Sequence, residues 1–288
     1  FTANATLGNG CPVSKLITIN NKTKLWKGTV SNDWYDGNNW SPIGVPDANT
    51  CVFIYDGTPF DSNINISANN AFAKFVTVRP LGLLEIQTNN KVTVTDAVSV
   101  DAGGTFTIED SGSLIQINNV ANLGNINYKR IAPGIRGFDY VYWSSPLSTA
   151  ITNPTINQVF TFGSTTGLFN PNRFYLFENS LFYDEAATYG NNGSGTDGYD
   201  DDFNDYNPLN TLAEQTAQFI PGRGYATWPP INDTDGYAIS FSGEMNNGEV
   251  TVAVYRNNSV NGGNPNLVGN PYPSAIDLDI LFAENSTL

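Results

Sequence analysis

The sequence predicts an all-β chain, in which a short three-sided parallel β-solenoid is followed by an antiparallel, jelly-roll-like β-sandwich. Short apolar segments recur at a 22-residue period between residues 51 and 130, and longer alternating segments separated by Asn-, Gly- and Asp-rich loops follow them. Helical periodicity is nearly absent. Hydrophobic residues make up 40% of the 288 residues, so the chain can form sizeable cores.

Residues 1–50 are rich in turns and contain Trp26, Trp34 and Trp40 at irregular spacing. The spacing does not fit a helical stripe, and tryptophans among Gly, Asn and Asp residues usually serve packing. We therefore expect a compact, tryptophan-containing N-terminal cap. The alternative is an exposed platform on which sugar rings stack.

Residues 51–130 carry the internal repeat. The recurring pairs are Val76 with Val98, Val78 with Val100, Leu84 with Phe106, Ile86 with Ile108 and Val92 with Leu114. The same 22-residue interval also separates Ile54 from Val76 and Ile64 from Ile86. Three short strands in one period indicate one coil of a parallel solenoid, whose core forms only when coils stack. The alternative is a sandwich built from regular hairpins.

Residues 131–288 lose this period and predict the β-sandwich. The expected strands are Phe138–Trp143, Gln158–Phe162, Arg173–Phe177, Leu181–Tyr183, Gly224–Trp228, Ala238–Phe241 and Val250–Tyr255. Helix is expected only at Thr211–Ala217 and in the turns that follow Ser274. Because the sequence stops just after those turns, we expect the sandwich to be truncated at its C-terminal end and the chain to belong to a longer protein.

The chain has no histidine, and its net charge is −14. The missing imidazole excludes Ser-His-Asp and Cys-His catalysis and removes the commonest transition-metal ligand. The negative charge makes nucleic acid and anionic membrane surfaces poor partners. No apolar run is long enough for direct membrane insertion. These features favour an extracellular binding or structural protein.

A calcium site is the sharpest local hypothesis. Asp200, Asp202 and Asn204 follow the first half of an EF-hand-like pattern, with Asp205 beside them. The Gly and the distal Glu of an EF-hand are missing, so the alternative is a solvated acidic loop.

The two cysteines, Cys11 and Cys51, lie in the first part of the chain. We expect them to form a disulfide that closes this segment, which implies an oxidising compartment. The alternative is a pair of buried free thiols.

Four groups of residues resemble one known group of proteins. They are Trp26-x-Gly with Trp34, Asn39-Trp40-Ser and Val45-Pro46; Gly112-Ser-Leu-Ile-Gln116; Asp139-Tyr-Val-Tyr-Trp-Ser-Ser-Pro146; and Pro221-Gly-Arg-Gly-Tyr225 with Gly269-Asn-Pro-Tyr-Pro-Ser274. Together they resemble the ectodomains of adhesin-like cell-surface proteins of Bacteroidota, notably Flavobacteria. That resemblance implies export by the type IX secretion system, contact with its machinery during export, and a location at the outer cell surface.

We therefore expect a non-enzymatic extracellular module of a secreted or cell-surface adhesin-like protein, with surface glycans or other cell-surface proteins as partners. The first alternative is a carbohydrate-binding module of a polysaccharide-degrading system, which an exposed row of Trp or Tyr on one sandwich face would favour. The second is a carboxylate-based glycosidase or lyase. Its candidate acids are scattered and include no obvious pair. Arg223 is expected either to anchor a carboxylate or to face a ligand.

Overall fold

The structure is a computed structural model of the 288-residue chain. It describes residues 22–55, 58–64, 70–148, 154–182, 205–233, 235–256 and 265–286, together with the backbone of two N-terminal strands. Those strands, β1 (Thr2–Thr6) and β2 (Pro12–Leu16), form an antiparallel hairpin. No helix in this part of the chain is long and apolar enough to cross a membrane.

The next twelve strands build the N-terminal cap and the solenoid. They are β3 (Thr23–Trp26), β4 (Trp40–Ser41), β5 (Cys51–Ile54), β6 (Ser62–Ile64), β7 (Ala71–Ala73), β8 (Phe75–Val78), β9 (Leu83–Ile86), β10 (Lys91–Val94), β11 (Val98–Val100), β12 (Thr105–Ile108), β13 (Ser113–Gln116) and β14 (Ile126–Pro133). The three parallel sheets of the solenoid contain β5, β8 and β11; β6, β9 and β12; and β7, β10 and β13. The predicted three-sided solenoid of about three coils is thus confirmed.

The register confirms most of the predicted repeat and corrects one pair. Val76 pairs with Val98, and Ile64 pairs with Ile86, as expected. Ile54, however, pairs with Val78 and not with Val76. Counted between paired residues, the stretch from Ile54 to Ser62 is two residues longer than the stretch from Val78 to Leu84, so the first coil is longer on this side.

The N-terminal cap closes the first coil. β3 adds to β5 in parallel, and β4 adds to β3 in antiparallel orientation. Trp26, Trp34 and Trp40 are almost completely buried, and the ring of Trp40 makes edge-to-face contacts with the other two at 4.9 and 4.7 Å. These three rings are therefore part of the core, which does not fit the alternative of an exposed sugar-stacking platform.

Strand β14 belongs to both halves of the molecule. It pairs with β12 of the solenoid in parallel and along its full length with β19 (Gly236–Gly243) in antiparallel orientation. The remaining strands, β15 (Val141–Trp143), β16 (Phe174–Phe177), β17 (Tyr206–Pro208) and β18 (Tyr225–Thr227), form an antiparallel sheet in the order β15-β18-β16-β17. We call this the four-stranded sheet.

Aromatic rings fill the space between the four-stranded sheet and the β14–β19 ladder. Trp143 contacts Tyr237 and Phe241 of β19, and Phe219 also contacts Phe241. The indole nitrogen of Trp143 donates to the Tyr237 hydroxyl at 3.2 Å. The second half of the chain is therefore a two-layer antiparallel unit, and one of its layers is continuous with the solenoid.

Three short α-helices and two 3-10 helices complete the described structure. The α-helices are α1 (Ile156–Val159), α2 (Leu212–Gln215) and α3 (Leu278–Glu284), and the 3-10 helices are Gly37–Asn39 and Pro171–Arg173. The prediction of helix at Thr211–Ala217 is confirmed, because Thr211 and Glu214 cap each other reciprocally. α3 begins after Asp277, which caps it, and not after Ser274.

Three predicted strands are wrong over their described residues. In the predicted strand Leu181–Tyr183, Leu181 and Phe182 have no assigned strand, because the N–H of Leu181 closes a turn onto the carbonyl of Glu178 at 2.9 Å; Tyr183 lies outside the described residues. Gln158–Phe162 begins inside α1, because Thr155 and Gln158 form a capping box that favours helix over the alternating pattern. Val250–Tyr255 has no assigned strand. The backbone of Tyr255 instead bonds to the side-chain amide of Asn266, which accepts from its N–H at 2.8 Å and donates to its carbonyl at 3.0 Å.

Candidate functional site

Most of the residues predicted as sites fall outside the described part of the chain. This applies to Asp200, Asp202, Asn204 and Cys11. Asp205 is described: it is buried immediately before β17, and its carbonyl accepts a hydrogen bond from the N–H of Glu178. Cys51 is half-buried at the start of β5. The calcium site and the disulfide therefore stay predictions. Within the described residues, no group of three or more acidic or Cys side chains is placed to hold a metal ion.

The outward surface of the four-stranded sheet is covered with aromatic rings. We call it the aromatic face; its residues are Phe138, Tyr140, Tyr142, Tyr175, Tyr206 and Trp228. The most exposed rings are Phe138 at 77% and Tyr142 at 58% of their full accessible surface. The opposite surface of the same sheet carries the buried Trp143, Tyr225 and Phe174. The alternation along β15 and β16 therefore produces two aromatic layers, one buried and one open to solvent.

Five of the six rings of the aromatic face form a continuous series across the strands. Phe138 lies 5.2 Å from Trp228, which lies 6.2 Å from Tyr140, measured between ring centroids. Tyr140 lies 6.0 Å from Tyr175, which in turn lies 6.2 Å from Tyr206. These separations are typical of edge-to-face and tilted aromatic pairs, which hold one another in place. The face is thus a connected surface.

Tyrosine hydroxyls give the aromatic face a polar component. Burial raises the pKa of Tyr206 most, and the electrostatic effects of Tyr142, Asp205 and Tyr140 raise it further. The pKa of Tyr140 is likewise raised by burial first, with a contribution from Tyr175. The face therefore combines apolar rings with tyrosine hydroxyl groups that can donate and accept hydrogen bonds.

Arg173 lies beside this surface. Its guanidinium carbon lies 4.2 Å from the ring centroid of Trp228, and Nη1 donates to the Tyr175 hydroxyl at 3.3 Å. A guanidinium over an indole ring is a favourable cation–π contact. Arg173 therefore covers part of Trp228 and leaves Phe138, Tyr140, Tyr142 and Tyr206 as the freely accessible rings.

Carboxylates come together at one place on the solenoid. Burial raises the pKa of Glu85, and the neighbouring Glu109 raises it further. Lys129 forms an ion pair with Glu109. Glu109 thus raises the pKa of Glu85, whereas the ammonium group of Lys129 lowers it.

Arg223 anchors a carboxylate. Its Nη2 lies 2.7 Å from Oε1 of Glu178, and Gly222 and Gly224 on either side of it bond to the segment 267–269. Of its two predicted roles, the anchoring role is the one observed.

A cavity of about 410 Å³ lies where the solenoid meets the two-layer unit. Its walls come from the turn before β13, from β14, β15 and β19, and from the segment 267–275. Tyr128, Trp143 and Phe241 supply aromatic surface, whereas Arg130 and Asn270 supply polar groups. We call this space the junction cavity.

The junction cavity is lined by residues from three of the four groups that carry the family resemblance. The N–H of Leu114 donates to the carbonyl of Pro273, and the N–H of Gly222 donates to the hydroxyl of Ser144. Gly269 packs so closely that a Cβ there would lie 2.4 Å from the Cβ of Ser144. Through these hydrogen bonds and this close packing, the segment 267–275 contacts both the solenoid and the four-stranded sheet.

The sequence reasoning missed both the aromatic face and the junction cavity as sites. The alternation of Tyr140, Tyr142 and Trp143 indicated that one face of this strand is core, but it did not show which rings stay exposed. The signal for the cavity was the set of resembling segments, which lie far apart in sequence and meet in space.

A family model matches residues 25–288, and the chain therefore belongs to that family, which is described as a domain of unknown function (DUF8693). No curated protein and no solved structure shows significant similarity to the chain.

Proposed function

Because membership of this family assigns no activity, we propose a function from the surface chemistry: a non-enzymatic extracellular module that binds a glycan through its aromatic face. The observation that carries the proposal is the connected series of exposed rings on one side of the four-stranded sheet. Contiguous exposed apolar surface on a folded protein usually marks an interaction site.

A carbohydrate fits this surface because the face is apolar and hydroxyl-rich at once. A sugar ring has an apolar C–H face that can lie on Phe138 or Tyr142, while its hydroxyl groups exchange hydrogen bonds with the tyrosine hydroxyls. A protein partner would usually place anchor side chains into pockets at the centre of the interface. The aromatic face instead presents exposed rings such as Phe138, Tyr140 and Tyr206 on a sheet surface, where a flat sugar ring can stack.

The proposal includes a location at the outer surface of the cell, as part of a secreted or surface-attached adhesin-like protein. Its support is the resemblance to type IX-secreted ectodomains, the net charge of −14 and the absence of histidine. In this setting the solenoid is a spacer, and the two-layer unit presents the aromatic face. A carbohydrate-binding module of a polysaccharide-degrading system would use the same face.

Removing one exposed ring is expected to weaken glycan binding without unfolding the protein. We expect Phe138→Ala and Tyr142→Ala each to lower the affinity for a bound polysaccharide about two- to tenfold, since one aromatic contact contributes roughly 0.5–1.5 kcal/mol. Affinity electrophoresis in gels containing individual plant, algal and microbial polysaccharides measures this change.

The matched control is Phe72→Ala, because Phe72 is an exposed phenylalanine on β7 of the solenoid, away from the aromatic face. Its affinity should equal that of the unaltered protein. If no polysaccharide retards the protein, or if Phe72→Ala weakens binding as much as Phe138→Ala does, the proposed function is wrong.

We also propose that the acidic segment Asp200, Asp202, Asn204 and Asp205 binds calcium. A cation that binds only the folded state raises the unfolding temperature by mass action. We expect a higher unfolding temperature in millimolar Ca²⁺ than in a chelator, measured by differential scanning calorimetry. Asp202→Asn should reduce this difference, whereas Asp36→Asn, in the N-terminal cap, should leave it unchanged. Identical curves with calcium and with chelator would contradict the calcium site.

A further inference from the structure

The junction cavity contains a guanidinium whose hydrogen-bonding capacity is largely unused. Nη1 of Arg130 lies 3.6 Å from Oδ1 of Asp110 and 3.5 Å from the Tyr128 hydroxyl, both at the outer limit of a hydrogen bond. A guanidinium has five N–H donors in a planar fork. The Arg130 side chain is 37% exposed, so water reaches only part of it. Arg130 is therefore able to bind a further acceptor.

The Asp110 carboxylate is only a partial partner for this guanidinium. Its Oδ1 atom also accepts a hydrogen bond from the backbone N–H of Ile131 at 2.9 Å, which fixes its position. Other ion pairs of the solenoid are closer: Arg79 lies 2.9 Å from Asp101. The contrast shows that Arg130 is held near its carboxylate without being neutralised by a close ion pair.

The rest of the cavity suits a ring-sized ligand. Tyr128, Trp143 and Phe241 contribute buried aromatic surface, and Ser111 and Asn270 contribute polar groups. A volume of about 410 Å³ lies in the range of small-molecule sites, which are mostly apolar with a few polar groups that fix orientation.

We propose that the junction cavity binds a small ligand in which a carboxylate is attached to a six-membered ring. The carboxylate accepts two parallel hydrogen bonds from the Arg130 fork, the strongest arrangement available to these groups, and the ring lies among the aromatic side chains. Sugar acids and aromatic acids share this chemistry. Tyr142 of the aromatic face also borders this cavity, whereas Arg130 and the buried rings that would hold the ligand do not belong to that face. The inference does not depend on the proposed function.

The test uses isothermal titration calorimetry of the whole chain with galacturonate and benzoate, beside the neutral galactose and benzyl alcohol. We expect at least one carboxylate to bind and its neutral counterpart to bind much more weakly. The carboxylate that binds distinguishes a sugar acid from an aromatic acid. Arg130→Gln should lower the affinity roughly tenfold to a hundredfold, because a charge-assisted pair of hydrogen bonds is lost.

Asp110→Asn should have the opposite effect. It removes the negative charge that competes with the ligand for Arg130, so the affinity should rise. Arg79→Gln and Asp101→Asn remove an ion pair of the same type elsewhere on the solenoid and should leave the affinity unchanged.

The proposal is overturned if neither carboxylate binds, if the neutral compounds bind equally well, or if Asp110→Asn weakens binding. Should Arg130→Gln fail to fold, Arg130→Lys decides in its place: it keeps the charge but loses the planar fork, and it should bind the carboxylate more weakly than Arg130 does.

Discussion

Replacing Trp40 by alanine is expected to lower the free energy of unfolding by about 3–5 kcal/mol, the range for a fully buried large aromatic residue. The ring fills the centre of the N-terminal cap and contacts both Trp26 and Trp34. Its indole nitrogen donates to the Trp34 carbonyl at 2.8 Å, and that acceptor would lose its partner. Urea unfolding followed by tryptophan fluorescence and circular dichroism measures the change.

Phe138→Ala provides the comparison, because it removes an aromatic ring that is 77% exposed. Its unfolding midpoint should stay within the error of the unaltered protein. A small effect of Trp40→Ala, similar to that of Phe138→Ala, would show that the cap does not stabilise the first coil. Loss of the cap should also expose the apolar interior of that coil, since terminal units of a repeat protein shield the core from water.

The second large effect is expected at Asn122, which is 1% exposed beside the last coil. Its Oδ1 accepts from the N–H of Val98 at 2.9 Å, and its Nδ2 donates to the carbonyl of Met245 at 3.0 Å. The side-chain amides of Asn122 and Gln116 also form two hydrogen bonds with each other, each donating from its nitrogen to the oxygen of the other. Asn122→Ala leaves buried backbone groups without partners, at a cost of about 2–4 kcal/mol.

The matched control is Asn118→Ala. Asn118 also donates its amide to a neighbouring coil, at 2.8 Å to Asp96, but that contact is exposed to solvent. We expect its effect on the unfolding midpoint to be small, since water replaces the lost partner. Equal effects of the two substitutions in the same urea titration would contradict the role assigned to Asn122.

The solenoid was predictable because each coil buries apolar side chains at the same positions, and these positions recur at a fixed interval in the sequence. Val92 and Leu114 share a position because every coil turns its apolar side chains towards the same interior, and a sequence comparison at one interval detects this. The displacement of Ile54 was not predictable in the same way. It depends on two extra residues in a surface connection, whose length does not affect the core on either side.

The two-layer unit was predictable only in outline. The alternation of Tyr142 and Trp143 shows that the two rings lie on opposite faces, but the core side is decided by β19, which lies about a hundred residues further along the chain. For Gln158 the local capping chemistry decided the structure, because the Thr155–Gln158 pair stabilises a helical turn directly. The junction cavity could not be predicted, because it forms only where distant segments meet.

The amide of Asn122 occupies the place that a backbone carbonyl of another coil would take, since it accepts the N–H of Val98. At the other end, the amide of Asn39 accepts the N–H groups of Val30 and Ser31 within the cap. Neither of these side-chain contacts depends on the number of coils between them. Insertion or deletion of one 22-residue unit would therefore change the length of the solenoid by about 4.8 Å, the spacing of neighbouring strands, and would leave both contacts in place.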